Sequence, residues 1–220
     1  TVAIAEFAAA IALVAIVLAW IDHASTSAPV DGTDAAHYHV PVAVNLALGA
    51  RLFDLPATPH TYPMAGSMLD AWFILPLGSP LLVDATMLLP FLLLVASLLW
   101  IFRLATGESG LAWATWPVLA LFGTPLFRMS SLVSADLWFA GGFVAVVAIA
   151  LAISTHRIAR RRDVLLGALA LGLLLGSKTS GAAAVMLIAL VWVLLEGARW
   201  LVTRERMDWP SPRAGLAVAN

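Results

Sequence analysis

The stretch "DGTDAAHYHVP", residues 31–41, sets Asp31, Asp34, His37, Tyr38 and His39 within nine positions. A carboxylate in such a loop can act as a general base toward an acceptor hydroxyl. The plainer reading of Asp31 and Asp34 is a solvated turn, because Asp-Gly and Asp before Ala are ordinary turn and N-cap chemistry. His37 and His39 alternate around Tyr38, and on a strand the two would share one face. With Asp31 or Asp34 they could ligate a divalent metal, although the i, i+2 spacing lacks a third ligand at helical spacing. Neither a metal nor any other cofactor is assigned on that pattern.

This polar loop interrupts a chain that is 62% hydrophobic and 11% charged. A soluble domain of this size carries roughly twice that charge. Apolar runs near the ~20 residues that cross a bilayer recur along the chain. They predict an all-α fold, a polytopic transmembrane helix bundle of about six spans at 2–21, 81–104, 110–127, 132–154, 164–177 and 180–202. The fifth is short and rich in Gly and Leu, which calls for tilt or for a tight break to the sixth at "GSKTSG". The first run is followed by "ASTSA", which resembles a cleavage region, but its length suits a retained helix better than a signal core. Trp20, Trp100, Trp113, Trp116 and Trp200 fall near predicted helix ends, as an interfacial aromatic belt requires.

Between the first two spans, residues 22–80 form one long loop. Two segments of it read as short interfacial or re-entrant helices. One runs from Val40 to Leu52, with Pro41 in its first turn and Val40, Val44, Ala47 and Leu48 on an apolar face. The other is the apolar run from Met68 to Leu77, too short to span. Residues 1–207 make up the membrane module, and 208–220 read as a cytoplasmic tail or linker. Cysteine is absent, which excludes disulfides and thiolate chemistry. No basic stripe interleaved with aromatics points to nucleic acid.

The basic residues orient the bundle. With both termini cytoplasmic, nine of them face the cytoplasm, among them Arg103, Arg157, Arg160, Arg161, Arg162 and Arg199. Only three, Arg51, Arg128 and Lys178, face outward. The opposite topology would reverse that ratio against the positive-inside rule. The aspartate loop is then extracytoplasmic. Near helix starts, Asp84 and Asp136 both fit dipole capping. Acids within spans are also often functional, and Asp136 keeps both readings. The tract "RIARRRD" is most simply a topology determinant.

Several of these pieces occur in a particular order: "DAAHYHVP", "GARLF", "YPMAGSMLDAWF", "SADLWFAGG" and "GSKTSG". In that order they resemble bacterial GT-C glycosyltransferases of the dolichyl-phosphate-mannose protein mannosyltransferase-like group, over roughly residues 20–185. Asp34 takes the family's loop-acid position; Tyr38, His39 and Pro41 take its "YHxP", and Tyr62 with Pro63 its "YP". Asp136 takes the later acid, and Lys178 the lysine of "GxKYTG". Two departures stand out. Ser67 or Asp70 occupies the place where the family often has Glu, and "KYTG" has become "KTSG". Family members are also longer, with further helices, so the resemblance is to their N-terminal module.

The resemblance implies a sugar donor linked to a polyprenyl phosphate held in the membrane lipid. Asp34 would be the catalytic base in an inverting transfer to an acceptor hydroxyl. Arg128 and Lys178 would hold the phosphate, a guanidinium by its fork and an ammonium as a point charge. Both could equally be helix-end anchors that snorkel to the interface. Tyr38, His39, Tyr62 and Asp136 complete the implied substrate site. The competing expectation is a non-catalytic structural subunit derived from that module and docked with other membrane subunits. A transporter is disfavoured, since no inverted repeat is visible. The location implied is the inner membrane of a bacterium.

The topology is directly testable. In the full chain, cysteines placed by Thr58→Cys and Arg161→Cys are expected to react with a membrane-impermeant maleimide from opposite sides. Labelling of both from one side would refute the external placement of the aspartate loop.

Overall fold

The structure is a computed structural model that describes residues 2–26, 37, 39–50, 65–76, 78–79, 83–107, 110, 134–156 and 161–203. Among these residues the fold is all-helical. Helix α1 spans Val2–Thr26, α2 Val40–Ala47 and α3 Ala65–Ile74. A 3₁₀ turn at Asp84–Met87 leads into α4, Leu88–Thr106. Then come α5, Ala135–His156, α6, Arg161–Ser177, and α7, Ser180–Thr203. In hydrocarbon every backbone N–H and C=O must find its partner within the segment, so long apolar runs have little alternative to helix.

Four of these helices contain stretches long and apolar enough to cross a membrane: Ile4–Asp22, Asp84–Thr106, Ala135–Thr155 and Ser180–Trp200. They mark the chain as an integral membrane protein. The expected span at 110–127 lies outside the described residues. The expected fifth span is helical as α6, but its 17 residues begin with Arg161, Arg162 and Asp163. Charges in the first turn leave it an apolar length short of a bilayer.

Helix α5 is the centre of the bundle. Half of its spanning stretch is buried, against 11% of that of α7. Two adjacent glycines allow this. A Cβ on Gly141 would fall 2.8 Å from the Pro90 carbonyl oxygen of α4. A Cβ on Gly142 would fall 3.1 Å from the Leu174 backbone nitrogen of α6. Consecutive residues on a helix point about 100° apart, so the pair opens two faces of α5 to close backbone approach. Pro90 and Gly141 both lie early in their helices, and α4 and α5 run side by side in the same direction. Helix α6 runs antiparallel to α5, pairing Gly142 with Leu174 and Ile149 with Gly167. Helix α7 returns along α6 and α5. At its far end Trp192 Nε1 donates to Ser154 Oγ at 3.0 Å, and Arg199 donates to the Ser154 carbonyl at 3.0 Å. That cation satisfies an orphan carbonyl in the last turn of α5.

The two short loop helices pack on each other and close one end of the bundle. Trp20 of α1 joins a core with Val40 and Ala43 of α2, Ala71 and Ile74 of α3, and Met87 before α4. Ala65 of α3 abuts Gly176 of α6, and Gly66 lies against the Trp138 indole of α5. The predicted helix at Val40 forms, with Pro41 in its first turn, but it is shorter than Val40–Leu52. Gly49, at φ +89°, ends it in a left-handed cap. Its N–H bonds Leu46 O at 3.0 Å and that of Ala50 bonds Asn45 O at 2.9 Å, a Schellman closure. The buried face is therefore Val40, Val42 and Ala43. Leu48, expected on that face, is 80% exposed because the chain turns away there.

The contacts of α5 and the open surroundings of Gly172, which has nothing within 4 Å of its would-be Cβ, predict opposite effects for one substitution. Gly141→Ala should lower stability by about 1–3 kcal/mol through overpacking. Gly172→Ala should raise it by about 0.5–1 kcal/mol through helix propensity. Thermal or denaturant unfolding in detergent micelles distinguishes the two.

Candidate functional site

The end of the bundle closed by α2 and α3 also receives the start of α4, the start of α5, the end of α6 and the start of α7. Its polar groups come from sequence-distant segments and fall into three arrangements that differ in burial.

The first is an ion pair. Lys178 occupies the break between α6 and α7, where Gly181 N–H donates to the Lys178 carbonyl at 2.8 Å and Ser177 Oγ to Leu174 O at 2.9 Å. Asp136 stands in the first turn of α5. The antiparallel register of α5 and α6 brings them together, and Lys178 Nζ donates to Asp136 Oδ1. The lysine and aspartate side chains are 34% and 45% exposed. Their charges remain partly solvated, and the carboxylate also gains from the N-terminal end of the α5 dipole.

The second is closed. His39, 4% exposed, lies at the N-cap of α2, and its Nδ1 is 3.0 Å from Ser67 Oγ on α3. His37 is exposed. The two histidines therefore do not present one face, and among the described residues no three His, Cys, Asp or Glu converge on a metal-sized site.

The third centres on Asp70, 1% exposed on α3. The Thr86 hydroxyl of the 3₁₀ turn lies 2.6 Å from Asp70 Oδ1 and 2.6 Å from the Val83 carbonyl. Asp84, itself buried, heads the same turn. Burial pushes the Asp70 carboxyl up to about 7, against an opposing contribution from the Thr86 hydrogen bond and with a smaller upward push from Asp84. Asp84 stands in the first turn of a helical start, as its position implies, but beside a second acid, and the N-cap of that turn is Val83, without a side-chain cap bond.

Comparison with family models, with curated proteins and with solved structures finds no match. Of the residues singled out in the sequence, Asp136 and Lys178 are brought together and His39 is placed nearby in the loop cap. Asp34, Tyr38, Tyr62 and Arg128 lie outside the described residues. The buried pairing of Asp70 with Thr86 is the feature that pattern reading misses. The available signal was a lone acid inside the apolar run Met68–Leu77, since a carboxylate enclosed by apolar residues needs a specific partner.

The exposure of the ion pair sets its worth. A double-mutant cycle of Asp136→Asn and Lys178→Met is expected to give a coupling energy of about 0.5–1 kcal/mol, as for partly solvated pairs. A value near zero would mean that the two side chains stand together without holding α5 to the α6–α7 corner.

Proposed function

We propose that this chain carries the N-terminal module of a membrane glycosyltransferase of the GT-C kind. It would take a sugar from a polyprenyl-phosphate donor at the extracytoplasmic face of a bacterial inner membrane. The observation that carries the reading is the Asp136–Lys178 pair at the loop-capped end of an apolar bundle. A cation held there, about a third exposed and beside apolar helices, would suit the phosphate of a membrane-anchored donor. Asp136 neutralises it when no phosphate is present, and an incoming anion competes for the same ammonium.

The charge distribution supports the orientation. Arg103, Arg161, Arg162 and Arg199 belong to the opposite helix ends from Lys178. By the positive-inside rule those ends are cytoplasmic, and the end with Lys178 and the loop helices faces out. In this reading Asp34 removes the acceptor proton, and Arg128 joins Lys178 on the phosphate. Tyr38, Tyr62 and Asp136 shape the donor site. His39, enclosed against Ser67, holds α2 to α3 and positions the loop in place of touching substrate.

The test is sugar transfer by the full-length protein in proteoliposomes containing a polyprenyl-phosphate sugar. Asp34→Asn should lower kcat about a hundredfold or more, the usual contribution of a general base. Lys178→Met should chiefly raise KM for the donor. Wild-type rates in Asp34→Asn would overturn the assignment of the base. Absence of transfer and of donor binding in the wild-type protein would favour a non-catalytic subunit.

A further inference from the structure

We propose that a proton on Asp70 latches α3 to the start of α4, so that the cap over this end of the bundle is held at low pH and loosens as pH rises. The Thr86 hydroxyl has one proton and two close oxygen neighbours, Asp70 Oδ1 and the Val83 carbonyl, each at 2.6 Å. The Val83 oxygen can only accept. If Thr86 donates to Val83, the second contact is a hydrogen bond only when Asp70 donates to Thr86, which requires the carboxyl to be protonated. The chain then reads Asp70 O–H to Thr86 O–H to Val83 O=C, each group donating once. Ionised Asp70 can only accept. Thr86 must then turn its proton from Val83 to the carboxylate, leaving a charge enclosed in the cap.

The surroundings favour the neutral form. From the 3₁₀ turn Asp70 faces Asp84, whose charge opposes a second one. From the α2 side the nearest titratable group is His39, held at Ser67. On α5 and beyond α6 stand Asp136 and Lys178, bonded to one another. Helix α3 itself carries no other titratable residue. Among the described residues no ion pair joins a cation to Asp70. What the latch holds is also defined, because α3 carries Ala65 against Gly176, Gly66 against Trp138 and Ser67 against His39.

The direction with pH follows from linkage. The carboxyl titrates near 7 in the closed cap and near 3.8 when released. The stabilisation is complete below the lower value and is lost as pH rises to the upper one, beyond which it levels. The population of opened α3 should therefore rise on the order of a hundredfold between pH 5 and pH 8. The experiment uses the full-length protein in lipid nanodiscs. Hydrogen exchange at the α3 amides, corrected for intrinsic base catalysis, should show that rise in the wild type. Asp70→Asn keeps a donor toward Thr86 and should give a flat profile. Infrared difference spectra should show a protonated carboxyl band near neutral pH that disappears at alkaline pH and is missing from Asp70→Asn. A flat wild-type profile, or a wild type without that band, would overturn the proposal. If Asp70→Asn does not fold, Thr86→Val offers the second variant: loss of the acceptor should move the band's titration, and an unmoved titration would equally overturn it.

Discussion

Backbone contact at Gly141 and Gly142 is the constraint on which the rest of this structure depends. In lipid, helices gain little from hiding apolar side chains from one another, and close van der Waals approach has to supply the association. Two adjacent residues without side chains let α5 touch α4 on one face and α6 on another. The first contact sets the common level at which α4 and α5 begin, and the second fixes the antiparallel register that carries Lys178 to Asp136. Helix α3 is seated by the same logic, since Gly66 and Gly176 leave room for its first residues against Trp138 and the end of α6.

Within this frame, polarity is graded by access to water. Where side chains are a third to a half exposed, the molecule uses full charges, as in Asp136 and Lys178. At the enclosed cap it uses hydroxyls, an imidazole and two carboxyls, Asp84 and Asp70, of which Asp70 is displaced toward its neutral form. An unpaired charge in the interior carries a desolvation penalty of several kcal/mol, more than a single hydrogen bond returns. Neutral partners avoid that penalty, and this is why the cap can be packed around Asp70 at all.

Much of the helical frame was legible from the residues, because apolar runs near bilayer length have few alternatives and the ends of α4, α5 and α7 fall within a few residues of expectation. The short helix at Val40 was legible from Pro41 and its 3.6-residue period. Its end was not read correctly: a helix continued to Leu52 ignores Gly49, whose left-handed backbone closes it after Ala47. Asp136 and Lys178 could be assigned to the same membrane face, but not to each other. Their pairing across 42 positions depends on a register decided by which α6 residue sits against Gly142. The partner of Asp70 was illegible for a similar reason, since the 3₁₀ turn that receives it is contributed by a segment 16 residues away.

The brevity of α6 has a consequence for the lipid itself. From Val164 to Ser177 its uncharged part is 14 residues, a rise of about 21 Å at 1.5 Å per residue, against a hydrocarbon core of about 30 Å. Leu165, Leu166, Leu169 and Leu175 nonetheless turn outward along it. Where a helix of this length crosses, acyl chains beside it must shorten or splay to meet it, at a cost of fractions of a kcal/mol per Å of mismatch. For α6 to cross would therefore require an annulus indented on its side of the bundle, with headgroups drawn toward the corner where α6 hands over to α7.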